Sequence, residues 1–178
     1  MLLLVVFFMS TSLSHAQEEG SLSATLTPTP QKTVDYTLPY PGLLPDNPLY
    51  FVKMIRDRVV LMLISDTVKR SKFNLLQADK RLQAGLYLYK EDEQKIETVI
   101  TTISKGQNYF FDALAEATRA KKEGYDTDIL FVDLTKSSLK HEELLIQFES
   151  SVSKDQKSSV KALLVRLRDL QKKIEQAQ

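Results

Sequence analysis

Cysteine and tryptophan are absent from the 178 residues, and histidine occurs only twice. Without thiols the chain forms no disulfide, thiolate zinc site, iron–sulfur cluster or cysteine nucleophile. Glycine is scarce at five, and all six prolines fall between Pro28 and Pro48, which excludes collagen-like and low-complexity classes. An excess of one charge is missing too: 24 Lys and Arg against 23 Asp and Glu leave a net +1. That balance gives no global attraction to nucleic acid or to an anionic membrane. No G-x-S-x-G, Walker-type loop, dinucleotide fingerprint or H-E-x-x-H occurs, so neither an enzyme nor a cofactor is expected. What remains is ordinary for a folded domain, with 43% hydrophobic and 26% charged residues.

The amino terminus reads as an address. Leu2 to Met9 form an unbroken apolar run, and Ser14 and Ala16 fit the small-residue pattern of a signal-peptidase site, with cleavage between Ala16 and Gln17. The run is too short for a bilayer span, which needs about 20 apolar residues. No Lys or Arg precedes Lys32, so the positive flank usual in such signals is supplied by the α-amino group alone. The expectation is a signal peptide over 1–16 and an exported chain, in the cell envelope or secreted. A short buried strand or helix is the plainer alternative.

Residues 17–35 are rich in Ser, Thr and Pro and poor in large apolar groups. They bury too little surface to offset ordering entropy and read as a flexible linker. The following stretch differs, because Leu38, Tyr40, Leu43 and Leu44 are interleaved with prolines, and Pro41-Gly42 marks a turn. An extended strap packed on the chain's own body is expected, with a polyproline ligand for a partner domain as the alternative. Asp46, Asn47 and Pro48 then have the form of a helix start. The predicted helix over 48–64 is apolar at so many positions that contacts on most sides are expected, making it central and sequestered. Arg56, Asp57 and Arg58 argue against a membrane span. An interfacial anchor is the sharper alternative.

Four further helices are predicted, over 67–89, 93–122, 128–151 and 154–177. The first carries Leu75, Asp79, Leu82 and Tyr89 on one seam. A single helix from Thr67 to Lys122 would reach roughly 80 Å, so a turn is placed near Lys90–Asp92. The β-branched run from Thr98 to Ile103 resembles a strand, but Ile96, Val99, Ile103, Phe110 and Leu114 recur at helical spacing. Gly106 on that seam implies close approach of a neighbour, and Gly124 a helix end. Asp126 or Asp128 caps the fourth helix, whose seam includes Leu134, His141, Leu145 and Phe148. Ser153 to Gln156 has the form of a capping box. The last helix repeats Val160, Leu163, Leu167, Leu170 and Ile174. The fold class is therefore all-α, an antiparallel bundle of about five helices behind a proline-rich strap, as one domain over 36–178.

Charge is segregated along the chain: net +4 over 66–90, −6 over 91–149 and +4 over 150–178. Basic helices flanking an acidic pair suggest mutual screening rather than a nucleic-acid face. His141 on an apolar seam is expected to be a half-buried structural histidine, since a metal ligand or general base needs convergent partners. The acidic clusters Glu91-Asp92-Glu93 and Asp126/Asp128 lack calcium-loop spacing and read as helix-end caps. No metal site is expected.

The segment Tyr36–Tyr50, containing Pro41-Gly42-x-x-Pro45-x-x-Pro48-Leu49-Tyr50, resembles the opening motif of a bacterial exported family known as a domain of unknown function. Asp46 and Asn47 fall inside that motif, and it reads as structural. Leu76 to Gly85 and Thr102 to Tyr109 are similar to the same family, and the resemblance covers roughly 36–150. It implies export and an all-helical body, and no activity or ligand set. The function expected is a non-enzymatic binding module whose partner is an unidentified protein or envelope component, not nucleic acid. A self-associating bundle pairing through 154–178 is one alternative. An envelope stress or metal sensor using the acidic helix ends is another.

Overall fold

Helical periodicity and caps account for most of the architecture. In the computed structural model, which describes residues 33–178, five helices follow an extended arm: α1 (Tyr50–Leu63), α2 (Thr67–Glu91), α3 (Ile96–Lys122), α4 (Asp128–Ser151) and α5 (Lys157–Ala177). No strand occurs among the described residues. The expected signal peptide, the Ala16–Gln17 cleavage site and most of the linker lie outside the described residues.

Asp66 starts α2 by accepting the Lys69 amide at 2.8 Å, the bond expected of an N-cap. Asp92 breaks α2 from α3: it leaves the helical region with φ −155°, and its carboxylate accepts the Gln94 amide of a 3₁₀ turn, Glu93–Lys95. Gly124 closes α3 at φ +86°, with the Gly124 and Tyr125 amides returning to the Lys121 and Ala120 carbonyls. Two expected caps differ in detail. Thr127 rather than an aspartate precedes α4, with no side-chain cap bond, while Asp126 accepts the Asp128 amide at 3.2 Å. Before α5 only half of the capping box forms, with the Gln156 side chain accepting the Ser153 amide at 3.3 Å.

Helices α2 and α3 form an antiparallel hairpin, and α4 and α5 form a second. Within the first, Ser71 donates to the Ala113 carbonyl at 2.7 Å while a Cβ on Gly85 would fall 2.6 Å from Ile103 Cγ1. Partners thus run in opposite directions along the two helices. Gly106 marks the close approach expected of it: an added Cβ would sit 3.0 Å from Arg81 Cβ and 3.2 Å from the Ala78 carbonyl oxygen. In the second hairpin, Arg168 reaches Glu142 and Lys161 reaches Glu149. The hairpins then pack side by side, and the lateral contacts are parallel. Asp79 meets Ser137 and His141, and Tyr89 meets Ser151, so α4 runs alongside α2. Likewise Gln107 donates to the Leu163 carbonyl and Lys121 to that of Ala177, so α5 runs alongside α3.

The core lies between these four helices. Leu82, Leu88, Ile103, Phe110, Leu134, Leu145, Leu167 and Leu170 are all fully buried. Burying each such side chain contributes about 1.5–3 kcal/mol before entropy is counted. Of the apolar seam expected in α5, Val160, Leu163, Leu167, Leu170 and Ile174 are buried and Ala177, its last member, is half-buried against the core. That helix therefore belongs to the body, and Val165 is its one large exposed apolar residue. Charge segregation resolves into cross-helix pairs, basic α2 against acidic α3 through Arg70–Glu116 and basic α5 against acidic α4 through Arg168–Glu142.

The first helix is the correction. A central, sequestered α1 was expected, yet it lies outside the four-helix body and buries only Tyr50 and Asp57. Leu49, Phe51, Val52, Met62 and Leu63 are each more than 60% exposed. The reason is that the four-helix core closes without it, so the helix docks through its few polar positions instead. Its start also differs: Asn47 accepts the Leu49 amide at 2.9 Å, but the helix begins at Tyr50, two residues after Pro48.

Candidate functional site

The extended arm, residues 33–49, crosses the groove between α2 and α4. Its Val34 amide donates to Glu143 at 2.9 Å, and its Tyr36 hydroxyl donates to Asp79 at 2.6 Å. Leu38 packs on the core, Pro41 is buried, and Asp46 pairs with Lys95 at 2.8 Å beside the α2–α3 turn. Of the motif residues, Gly42 turns at φ +72°, Pro45 lines a cleft described below, and Pro48 and Leu49 face solvent. The Pro41 carbonyl accepts Lys53 of α1 at 2.7 Å. The motif therefore fastens α1 to the arm, and the arm to the body.

Under the arm lies a closed polar cluster. Asp79 and His141 are each 2% exposed, and His141 Nε2 stands 2.8 Å from Asp79 Oδ1, which also accepts the Ser137 hydroxyl at 2.6 Å. Tyr36 occupies the other carboxylate oxygen, Oδ2. Burial, and then the adjacent Asp79 carboxylate, push the Tyr36 phenol well above its ordinary pKa. Phe110 meets the imidazole edge-to-face at 5.1 Å. Serine, histidine and aspartate are all present, but Ser137 donates to the carboxylate rather than to the imidazole. The nucleophile–base contact of a hydrolase triad is therefore not formed. His141 is more deeply buried than expected, and one carboxylate meets it. Among the described residues no three His, Asp or Glu side chains gather in a metal-holding group.

The open surface offers a cleft between α1, α2 and α3. It measures about 380 Å³ and is lined by Pro45, Tyr50, Met54, Arg81, Thr102 and Lys105. A neighbouring hollow of about 300 Å³ shares Arg81 and Lys105 and adds Asn108, Tyr109 and Asp112. Arg81 is the hub: it donates to the Tyr50 hydroxyl at 3.1 Å and lies 5.0 Å from the Tyr109 ring. Its Nε is buried without a hydrogen-bond partner. Burial raises the Tyr50 phenol and lowers the Lys53 ammonium below their usual values. Burial and then Glu116 raise the Asp112 carboxyl. The Arg81–Tyr50 bond holds the inward side of α1 against the hairpin, and Lys53 ties it to the arm; no nucleophile is paired to a base there.

One aspartate in each acidic helix end is engaged in structure. Asp92 caps the 3₁₀ turn and lies 3.7 Å from Lys95, and Asp126 bonds the Asp128 amide. Sequence reasoning placed Asp79 and His141 on apolar seams but did not join them. Two complementary polar residues, each on the buried side of a different helix, were the available signal. Tyr36, Ser137 and Arg81 gave none.

The fold defines an all-helical bundle of two side-by-side hairpins, strapped by a proline-rich arm that positions one outlying helix. The chain belongs to the family described as Domain of unknown function (DUF5667), which it matches over residues 42–178. That match begins inside the arm's motif and takes in all five helices. No curated protein and no solved structure matches the chain.

Proposed function

We propose that this protein is an exported, non-enzymatic binding module of the cell envelope, working through the outward side of α1. One observation carries the reading. Nine of the eighteen large hydrophobic side chains exposed in the described chain lie between Leu49 and Leu63, on a helix anchored by Tyr50 and Lys53. Contiguous apolar surface of this kind marks an interaction site. The four-helix body supplies a rigid platform, and the arm sets the height and angle at which the helix is presented. The apolar run at Leu2–Met9 followed by Ser14 and Ala16 supports export.

Two measurements test it. Amino-terminal sequencing of the chain recovered from its native source should begin at Gln17, in a non-cytoplasmic fraction. A photo-crosslinking residue at Val59 should give adducts in living cells that the same probe at Lys136, an exposed position on α4, does not. A cytoplasmic chain retaining Met1 would overturn export. Equal yields at the two positions would overturn the assignment of the binding surface.

A further inference from the structure

We infer that α1 is an interfacial helix that seats the bundle on an anionic lipid surface. This rests on the reading of α1 as the binding surface and names its partner.

The helix is inverted relative to ordinary surface helices. Polar side chains of Tyr50, Lys53 and Asp57 face the body: Tyr50 meets Arg81, Lys53 meets the Pro41 carbonyl, and Asp57 is 9% exposed. At about 100° per residue, Phe51, Val52, Ile55, Val59, Met62 and Leu63 form one continuous outward stripe. Each of them is at least 48% exposed. The borders of that stripe are both cationic. Arg58 falls on one edge beside Phe51 and is exposed. Arg56 falls on the other beside Leu63, its side chain 65% exposed although it also reaches Asp57. Asp57 is the only acid in α1, and it lies on the inward side.

An apolar face with arginines on both shoulders is the composition of helices that lie in the headgroup region. There the stripe enters the acyl boundary and long basic side chains extend to phosphate. Length agrees, since 14 residues make a helix of about 21 Å, short of the ~30 Å hydrocarbon core. It lies on a bilayer and does not cross it. The near-neutral chain has no global pull toward anions, so attraction is local to these two arginines. Charge also disfavours a second copy as occupant: in a symmetric α1–α1 pair the bordering arginines would face arginines, and the one acid of α1, Asp57, lies on the inward side and pairs with Arg56 of its own helix.

The test is vesicle sedimentation of the chain from Gln17 to Gln178, which retains every core residue found among the described residues. Phosphatidylcholine vesicles containing phosphatidylglycerol are compared with phosphatidylcholine alone. The anionic vesicles should bind at least 10-fold more tightly. Ile55→Glu with Val59→Glu should weaken binding by roughly 100-fold, from two lost apolar insertions, without lowering the melting temperature, because both sites are solvent-exposed. Arg56→Gln with Arg58→Gln should erase the preference for the anionic lipid. The chain has no tryptophan, so Phe51→Trp gives a single indole whose emission should move to shorter wavelength on anionic vesicles. Absence of binding to either vesicle would overturn the assignment, as would an unshifted indole. So would a dimer by light scattering that Ile55→Glu with Val59→Glu dissolves, which would make the occupant a second copy. If vesicles fail while Val59 still crosslinks selectively to a protein, the lipid assignment falls and the binding-module reading stands.

Discussion

Tyr36→Phe isolates the one side-chain hydroxyl through which the arm reaches the buried cluster. The phenylalanine ring keeps the packing and deletes only the hydroxyl, which donates to Asp79 Oδ2 at 2.6 Å. Ser137 and His141 both engage Oδ1, so the substitution leaves Oδ2 of a 2%-exposed carboxylate without a donor. A hydrogen bond to a charged group contributes about 1.5–3 kcal/mol, and for a domain of this size about 2 kcal/mol lowers the melting temperature by roughly 4–8 °C. Alkaline pH supplies an independent check. The phenol is raised in the folded protein, so the native state holds this proton more tightly than the unfolded chain. The resulting stability is complete below the unfolded tyrosine pKa near 10 and is lost as pH rises above it. The advantage of the wild type over Tyr36→Phe should therefore be constant from pH 7 to 9 and shrink by up to about 1.4 kcal/mol per pH unit beyond pH 10. Other raised tyrosines, Tyr50 and Tyr89, are present in both proteins and cancel. Urea unfolding followed by circular dichroism at pH 7, 9, 10.5 and 11 measures the difference directly. Equal stability at pH 7, or a gap that stays constant through pH 11, would refute the reasoning about this bond.

Four further outcomes are expected. Gly85→Ala should destabilise by about 1–3 kcal/mol despite better helix propensity, because the new Cβ would lie 2.6 Å from Ile103 Cγ1; thermal melts compared with wild type check it. Leu167→Ala, at a fully buried α5 position, should cost about 2–5 kcal/mol in denaturant unfolding. Removing residues 154–178 should unfold the body rather than release a stable monomer. Lys140 and the Val34 amide hold the Glu143 carboxyl below its usual pKa, so the stability it contributes is present above about pH 4.5 and fades as pH falls further. Glu143→Gln should therefore cost under about 1 kcal/mol at pH 7 and progressively less as pH falls below about 4.5, with faster proteolysis in the arm at neutral pH.

The helical class, the break before α3, the Gly124 stop and the α5 seam were legible from residue order. Each is a local property: apolar spacing near 3.6, a cap within three residues, or a glycine at positive φ. Gly106 was legible for the same reason, since a residue without a side chain on a core seam implies a close neighbour. The orientation of α1 was not legible. Its apolar residues are spread over more than half its circumference, so periodicity offers no single inward side. Whether they face a core depends on whether the other four helices close without it. They do, and the helix turns Tyr50 and Lys53 inward toward partners supplied by α2 and by the arm, with Asp57 buried beside them.

The polar cluster shows the same division. Composition and spacing placed Asp79 and His141 on buried seams, but their pairing joins residues 62 positions apart, and Tyr36 arrives across another 43. It also requires α2 and α4 to run parallel at matched height. That register follows from packing the two hairpins side by side. Sequence alone determined that the chain is helical, where its helices break, and which side chains are too apolar to stay in water. Tertiary structure decided which of those apolar faces were left without a partner, because burial is settled by competition for a finite core and not by the hydrophobicity of any one segment.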